Sequence, residues 1–84
     1  MRAWPVDRVD PAALERHIAA VPGVREAAVL AVRDRAGERL YAFVAGHAEA
    51  VPRHPARVVV LDSLPHTADG AVDRHALRRM AATD

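Results

Sequence analysis

Eighty-four residues without an internal repeat allow one small domain and no second core. The chain is 51% hydrophobic but only 4% aromatic, so its core draws on small and β-branched side chains and deep pockets lined by aromatic rings are not expected. Twelve basic residues against 11 acidic ones leave a net charge of +1, too near balance for a general electrostatic grip on nucleic acid.

In chain order, residues 1–8 read as an irregular lead in which Trp4-Pro5 blocks helix. Asp10-Pro11 is a helix start, because Asp accepts from the free amides of a first turn and Pro at the first helical position forfeits no used donor. The helix runs to about Ala20, with Leu14, Ile18 and Val21 as its apolar stripe and Glu15, Arg16 and the far edge of His17 toward water. Pro22-Gly23 stops it. Val24 to Val32 follows as a strand, Arg33 to Glu38 as a charged loop, and Arg39 to Ala45 as the antiparallel return strand. Tyr41, Phe43 and Ala45 share one face of that strand and Leu40, Ala42 and Val44 the other, which marks it as central. Residues 46–56 hold His47, Glu49, Pro52 and His54 without periodicity and read as a loop.

Val58 to Leu61 is the third strand, read as buried. It is followed by a bend at Leu64-Pro65, a polar turn closed by Gly70, and a short helix capped by Asp73. The sum is an α+β domain: a three-stranded, mainly antiparallel sheet with two helices covering one of its faces. The absence of Cys removes disulfides, thiolate catalysis and Cys-based zinc sites, and fits a reducing cytoplasm. All 12 basic residues are Arg, so no lysine amine can serve as nucleophile, Schiff-base former or titratable base. No basic start precedes an apolar run, and no run approaches the length that spans a bilayer, so a soluble protein without membrane contact is expected.

Leu64-Pro65-His66-Thr67-Ala68-Asp69-Gly70-Ala71-Val72-Asp73-Arg74-His75-Ala76-Leu77 resembles the last signature of the adenylate-forming enzymes, Leu-Pro-x-Thr-x-Asn-Gly-Lys-Val-Asp-Arg-x-Ala-Leu, in its nonribosomal peptide synthetase form. Arg8-Val9-Asp10-Pro11 with Leu14-Glu15 is similar to the family's Arg-Val-Glu-Pro-x-Glu-Ile-Glu, and Val21 to Val29 to its His-Pro-x-Val-x-Glu-Ala-Ala-Val. Val51-Pro52 and Pro55-Ala56-Arg57 look like a shortened Leu-Pro-x-Tyr-Met-Val-Pro-Ala-Arg. The resemblance covers roughly Arg8 to Arg79 and implies the small C-terminal subdomain of those enzymes. That subdomain swings against a large domain holding ATP and the acid substrate. Its turn delivers a lysine to the reacting carboxylate and phosphate, and a second orientation serves transfer to a carrier-protein thiol or coenzyme A.

A positioned cation can supply several kcal/mol to such chemistry, but here the lysine position is Ala71. The resemblance shows further departures: Val6 stands where the family has a glycine two residues before its arginine, the hinge would fall at or before Met1, and the amphipathic helix expected between Ala45 and Pro55 is missing. They imply a free-standing, shortened copy, with no catalytic residue, cofactor or metal of its own and not expected to be an enzyme alone. Its role would be that of an interaction module, binding a carrier protein or an adenylating enzyme of an assembly line. The alternative is a detached subunit of a split enzyme that assists acyl or aminoacyl transfer.

Individual residues keep two readings. Gly70 is a left-handed turn position or a remnant of a phosphate-facing loop, and the motif turn as a whole comprises Thr67, Asp69, Gly70, Ala71, Asp73 and Arg74. Arg74, Arg78 and Arg79 form a solvated basic face, the last two near the helix C-terminal dipole, or a docking patch for an acidic carrier-protein helix. Trp4 is a lid on the core or an anchor for a partner. The five histidines, His17, His47, His54, His66 and His75, show no metal-ligand spacing.

Overall fold

A computed structural model describes residues 10–34, 37–47, 49, 51 and 57–83. The lead 1–8 with Trp4 and Val6, and most of segment 46–56 with His54, lie outside the described residues. Two helices and three strands follow in the order α1 (Pro11–Ala19), β1 (Val24–Asp34), β2 (Gly37–Gly46), β3 (Arg57–Leu61) and α2 (Arg74–Thr83). Asp10 caps α1 as its sequence predicts: backbone extended at φ −87°, side chain accepting from the Ala12 amide at 3.1 Å.

β2 lies in the middle of the sheet, antiparallel to β1 and parallel to β3. The sheet is therefore mixed: its longer pairing is antiparallel as expected, and the short β3 joins in parallel. A hairpin explains the first pairing, but a parallel neighbour needs a crossover, and segment 47–56 supplies it. Val51, a described residue of that segment, is buried in the cluster on the α1 side of the sheet.

The helices sit on opposite faces, not on one. Leu14 and Ile18 of α1 pack with Val29, Leu40, Ala42, Val44 and Val51. Leu77 and Ala81 of α2, joined by Leu64, pack with Leu30, Val32, Tyr41 and Phe43. The reason lies in β2, whose residues Leu40 to Ala45 are all buried. Side chains alternate across a strand, so a strand apolar at every position demands a cover on each side. Both helices lie chiefly against β1, which leaves β3 as the edge. Val58 and Val59 are half-buried and Val60 is 50% exposed, so the expectation of a buried third strand fails for want of a helix above it.

β1 is the other edge, and side chains close it. The Val29 N–H donates to Glu15 Oε1 of α1 at 2.9 Å, and the Ala31 carbonyl accepts from Arg78 of α2 at 2.7 Å. Residues two apart point the same way along a strand, so these are neighbouring outward groups of one edge, satisfied from the two opposite faces. Glu15, expected in water, is thus partly buried and structural.

Gly46 has a harder constraint than the loop start its sequence suggests. Its φ is +115°, and a Cβ there would meet the Gly23 carbonyl oxygen at 2.4 Å and the Arg25 nitrogen at 3.0 Å. The approach is fixed by the His47 amide donating to Gly23 at 2.9 Å, beside a register shift between Val24 and Glu26. Gly70 also has positive φ, +90°, but open space where a Cβ would go. Gly46→Ala should therefore lower stability by about 2 kcal/mol or more, from backbone strain plus the clash, and Gly70→Ala by about 1 kcal/mol from strain alone. Urea unfolding of both variants measures the gap, and equal costs would remove the close-approach argument.

Candidate functional site

The segment from Leu64 to Arg74 connects the β3 end of the sheet to α2, and its shape follows from its residues. His66 and Val72 form an isolated antiparallel bridge. Between them the Gly70 N–H donates to the Thr67 carbonyl at 3.0 Å and the Thr67 N–H to the Ala71 carbonyl at 2.8 Å. This is the bonding of a three-residue hairpin loop, which places Gly at the left-handed position. Asp73 then closes the segment: its N–H donates to the Pro65 carbonyl at 2.8 Å, its side chain accepts from the Ala76 amide at 3.0 Å, and its carbonyl starts α2 by accepting from Leu77.

Thr67 to Ala71 are all exposed. The Thr67 hydroxyl lies within reach of both the Asp69 carboxylate and the Ala71 carbonyl, at 3.3 Å from the latter. It has one proton, which goes to the charged and nearer acceptor. That hydroxyl, then the backbone of Ala71 and of Asp69 itself, hold the Asp69 carboxyl below its ordinary range, against a small opposing effect of desolvation.

Side chains from the rest of the fold hold this segment in place. Arg25 of β1 donates to the Asp62 carbonyl at 2.5 Å, and His66 Nε2 lies 2.7 Å from Glu26 Oε2, also of β1. Arg74 reaches both Glu15 carboxylate oxygens at 3.1 Å. Glu15 therefore joins α1, the β1 edge and the start of α2.

The comparisons with known proteins fall on this same segment and fold. No family model matches the chain. Triostin synthetase I of Streptomyces triostinicus is 34% identical over 94 residues, taking in 92% of this chain and 18% of that protein. CymA of Salinispora arenicola, which bears the name of a nonribosomal peptide synthetase, is 36% identical over 86 residues, 83% of this chain and 1% of its own. Among solved structures, the fatty acyl CoA synthetase of Mycobacterium tuberculosis superposes with a TM-score of 0.74 at 26% identity, over 87% of this chain and 18% of that one. Holo-PA1221, an NRPS protein containing adenylation and PCP domains, gives 0.71 at 30%, over 86% and 14%.

The chain is a relative of the nonribosomal peptide synthetase adenylation proteins. Its fold is that of the small C-terminal subdomain of adenylate-forming enzymes. It spans less than a fifth of each protein just named.

Within this small subdomain the predicted residues divide into two groups. Thr67, Asp69, Gly70 and Ala71 come together in the exposed turn, whereas Arg74 and Arg78, also exposed, are bonded to Glu15 and to the Ala31 carbonyl. Arg78 and Arg79 also fall in the middle of α2 and not in its last turn, because the helix continues to Thr83. Arg79 is exposed on α2, and Trp4 is outside the described residues. Among the described residues no three His, Asp or Glu side chains gather at metal-binding distance. Glu15 and Arg25 were the structural residues that sequence reasoning passed over. A partner 59 positions away, as Arg74 is from Glu15, leaves no periodic signal.

Two measurements check this geometry. Glu15→Ala should cost about 1–2 kcal/mol in chemical unfolding, because it orphans the Val29 amide as well as Arg74. Arg74→Ala should cost less, as an exposed pair is worth about 1 kcal/mol at most. For Asp69, a depressed folded-state pKa means that the ionised carboxyl stabilises the turn above the ordinary carboxylate range, and that this contribution is lost as pH falls through the folded value. Carbon-detected NMR titration should show Asp69 titrating below the ordinary carboxylate range, and Thr67→Val should return it toward that range. An unchanged midpoint in that variant would rule out the hydroxyl as the cause.

Proposed function

We infer that the chain is a noncatalytic contact module of a natural-product assembly line, residues 1–84 acting as one unit that binds a carrier protein or the large domain of an adenylating enzyme. One observation carries the reading. The turn bearing the family signature is fully formed and exposed, yet presents Ala71 where the resemblance requires lysine. A methyl group offers neither charge nor donor to a carboxylate or phosphate. The nearest cation of the segment, Arg74, is held on Glu15, and the chain contains no Lys that could take its place.

Partner binding is supported by the company the fold keeps, since PA1221 joins adenylation and PCP domains in one protein. The surface suited to an acidic carrier helix is α2, whose sequence Arg-His-Ala-Leu-Arg-Arg-Met-Ala-Ala-Thr contains no acid. Arg79, exposed on that helix, is the residue for docking, with Met80 beside it 41% exposed. Arg74 and Arg78 contribute charge to the same helix while anchored in the fold. Trp4 is a further candidate anchor. Cytoplasmic residence accords with this role, and no described helix is long and apolar enough to cross a membrane.

Titration calorimetry of the chain against the PCP domain of PA1221 tests the reading. Binding is expected, and Arg79→Glu should weaken it about two- to fivefold without altering the fold; unchanged affinity would remove α2 as the docking face. The split-enzyme alternative predicts instead that adding the chain to an adenylating large domain accelerates acyl loading of the carrier. No change in that rate favours the contact module.

A further inference from the structure

β3 is the strand that the fold leaves least covered. Both helices lie chiefly against β1, and β3 ends the sheet, with no strand on its far side among the described residues. Its apolar run shows the consequence on both faces. Val58 and Val60 pair with Ala42 and Val44 and so face the α1 side, where Val58 is half-buried and Val60 is 50% exposed. Val59 and Leu61, opposite Phe43 and Ala45, face the α2 side and are half-buried as well.

Sheet edges are normally blunted by an inserted charge, a proline or a bulge. Val58 to Leu61 contains no charge and no proline, and its pairing with β2 keeps one register throughout. The β1 edge is different, because Glu15 and Arg78 already take the outward Val29 N–H and Ala31 carbonyl. A second copy of the chain therefore meets less obstruction at β3 than at β1. That favours a closed pair sharing one kind of edge over an open series of β1-to-β3 contacts. Charge then sets the direction. Arg57 opens the strand and the exposed Asp62 follows its last residue, so β3 has a positive end and a negative end. Two copies laid parallel bring like charges together. Antiparallel copies related by a two-fold axis at Val59 bring the Arg57 end of each to the Asp62 end of the other. The same register sets Val58 of each copy opposite Val60 of the other, giving the exposed Val60 an apolar neighbour.

We propose that β3 is a self-docking edge, at which two copies of this chain pair antiparallel through Arg57–Leu61 and join their sheets into one. The contact is five residues long on each side, so the association is weak and is populated at high concentration. It leaves α2 uncovered and is independent of the carrier contact assigned to that helix.

Sedimentation velocity of the chain from micromolar to millimolar concentration, with amide shifts of the 15N-labelled protein over the same range, tests the pairing. The average mass should rise toward that of a dimer, and the shifts that move with concentration should centre on Arg57–Leu61 and not on α2. Val60→Lys, at a position already half in water, should keep the fold by circular dichroism and weaken the association about tenfold, because it removes two Val–Val pairs at once. Asp62→Arg should weaken it about two- to fivefold, and adding Arg57→Asp to that variant should restore it. A monomer at every concentration, shifts centred on α2 or β1, an undiminished dimer in Val60→Lys, or a double reversal that pairs no better than Asp62→Arg alone would each overturn the proposal. An edge reserved for a strand of a different protein would show as the first of these outcomes.

Discussion

A central strand apolar on both faces is the constraint from which the rest of this fold follows. From Leu40 to Ala45 every residue of β2 is buried, so each face of a sheet only three strands wide needs its own cover. One helix precedes the sheet and one follows it, and each takes a face. Phe43, Val44, Ile18, Leu64 and Leu77, the largest fully buried side chains among the described residues, come from all three layers. Truncating any of them would open a cavity that so small a core has little material to fill.

Placing helices on opposite faces creates a second requirement, because nothing then ties them to each other except the sheet between. Glu15 meets it at the β1 edge. One carboxylate accepts from the β1 backbone and from Arg74 of α2, and Arg78 ties α2 to the same edge two residues along. Two of the edge's outward backbone groups are thereby satisfied. The Glu15 contact also sets where α2 begins, and so the position of the turn immediately before it. The ion pair itself is half-exposed and weak in isolation. Its consequence is geometric: the turn before α2 inherits its placement from a contact at the β1 edge.

The sequence showed whatever depends on neighbours along the chain. The Asp10 cap, the alternation of Tyr41 and Phe43 against Leu40 and Val44, and the left-handed Gly70 each need only a few residues of context, and the structure contains all of them. Contacts that close over long distances left no such trace. The parallel pairing of β3 depends on a crossover whose only buried described residue is Val51, a lone apolar position in a stretch without period. The split of the helices between two faces could have been inferred from β2, since a strand apolar at both parities cannot be served from one side. Gly46 looked like ordinary loop glycine because its constraint comes from Gly23, a neighbour only in space.

The same distinction governs the turn from Thr67 to Ala71. The turn is held by the backbones of Thr67, Gly70 and Ala71, by the Asp73 cap, and by Arg25, Glu26 and Glu15 reaching in from the sheet and α1. None of these bonds involves the side chain at position 71. That position contributes only backbone groups, its carbonyl and its amide, which every residue but proline supplies, so the shape of the turn does not depend on the side chain there. Position 69 is different, because its carboxylate shares the Thr67 hydroxyl and the Ala71 amide. An acid at that place accepts the turn's donors more strongly than a neutral amide would. The carboxylate that puts negative charge at the tip is therefore also part of what holds the turn that carries it.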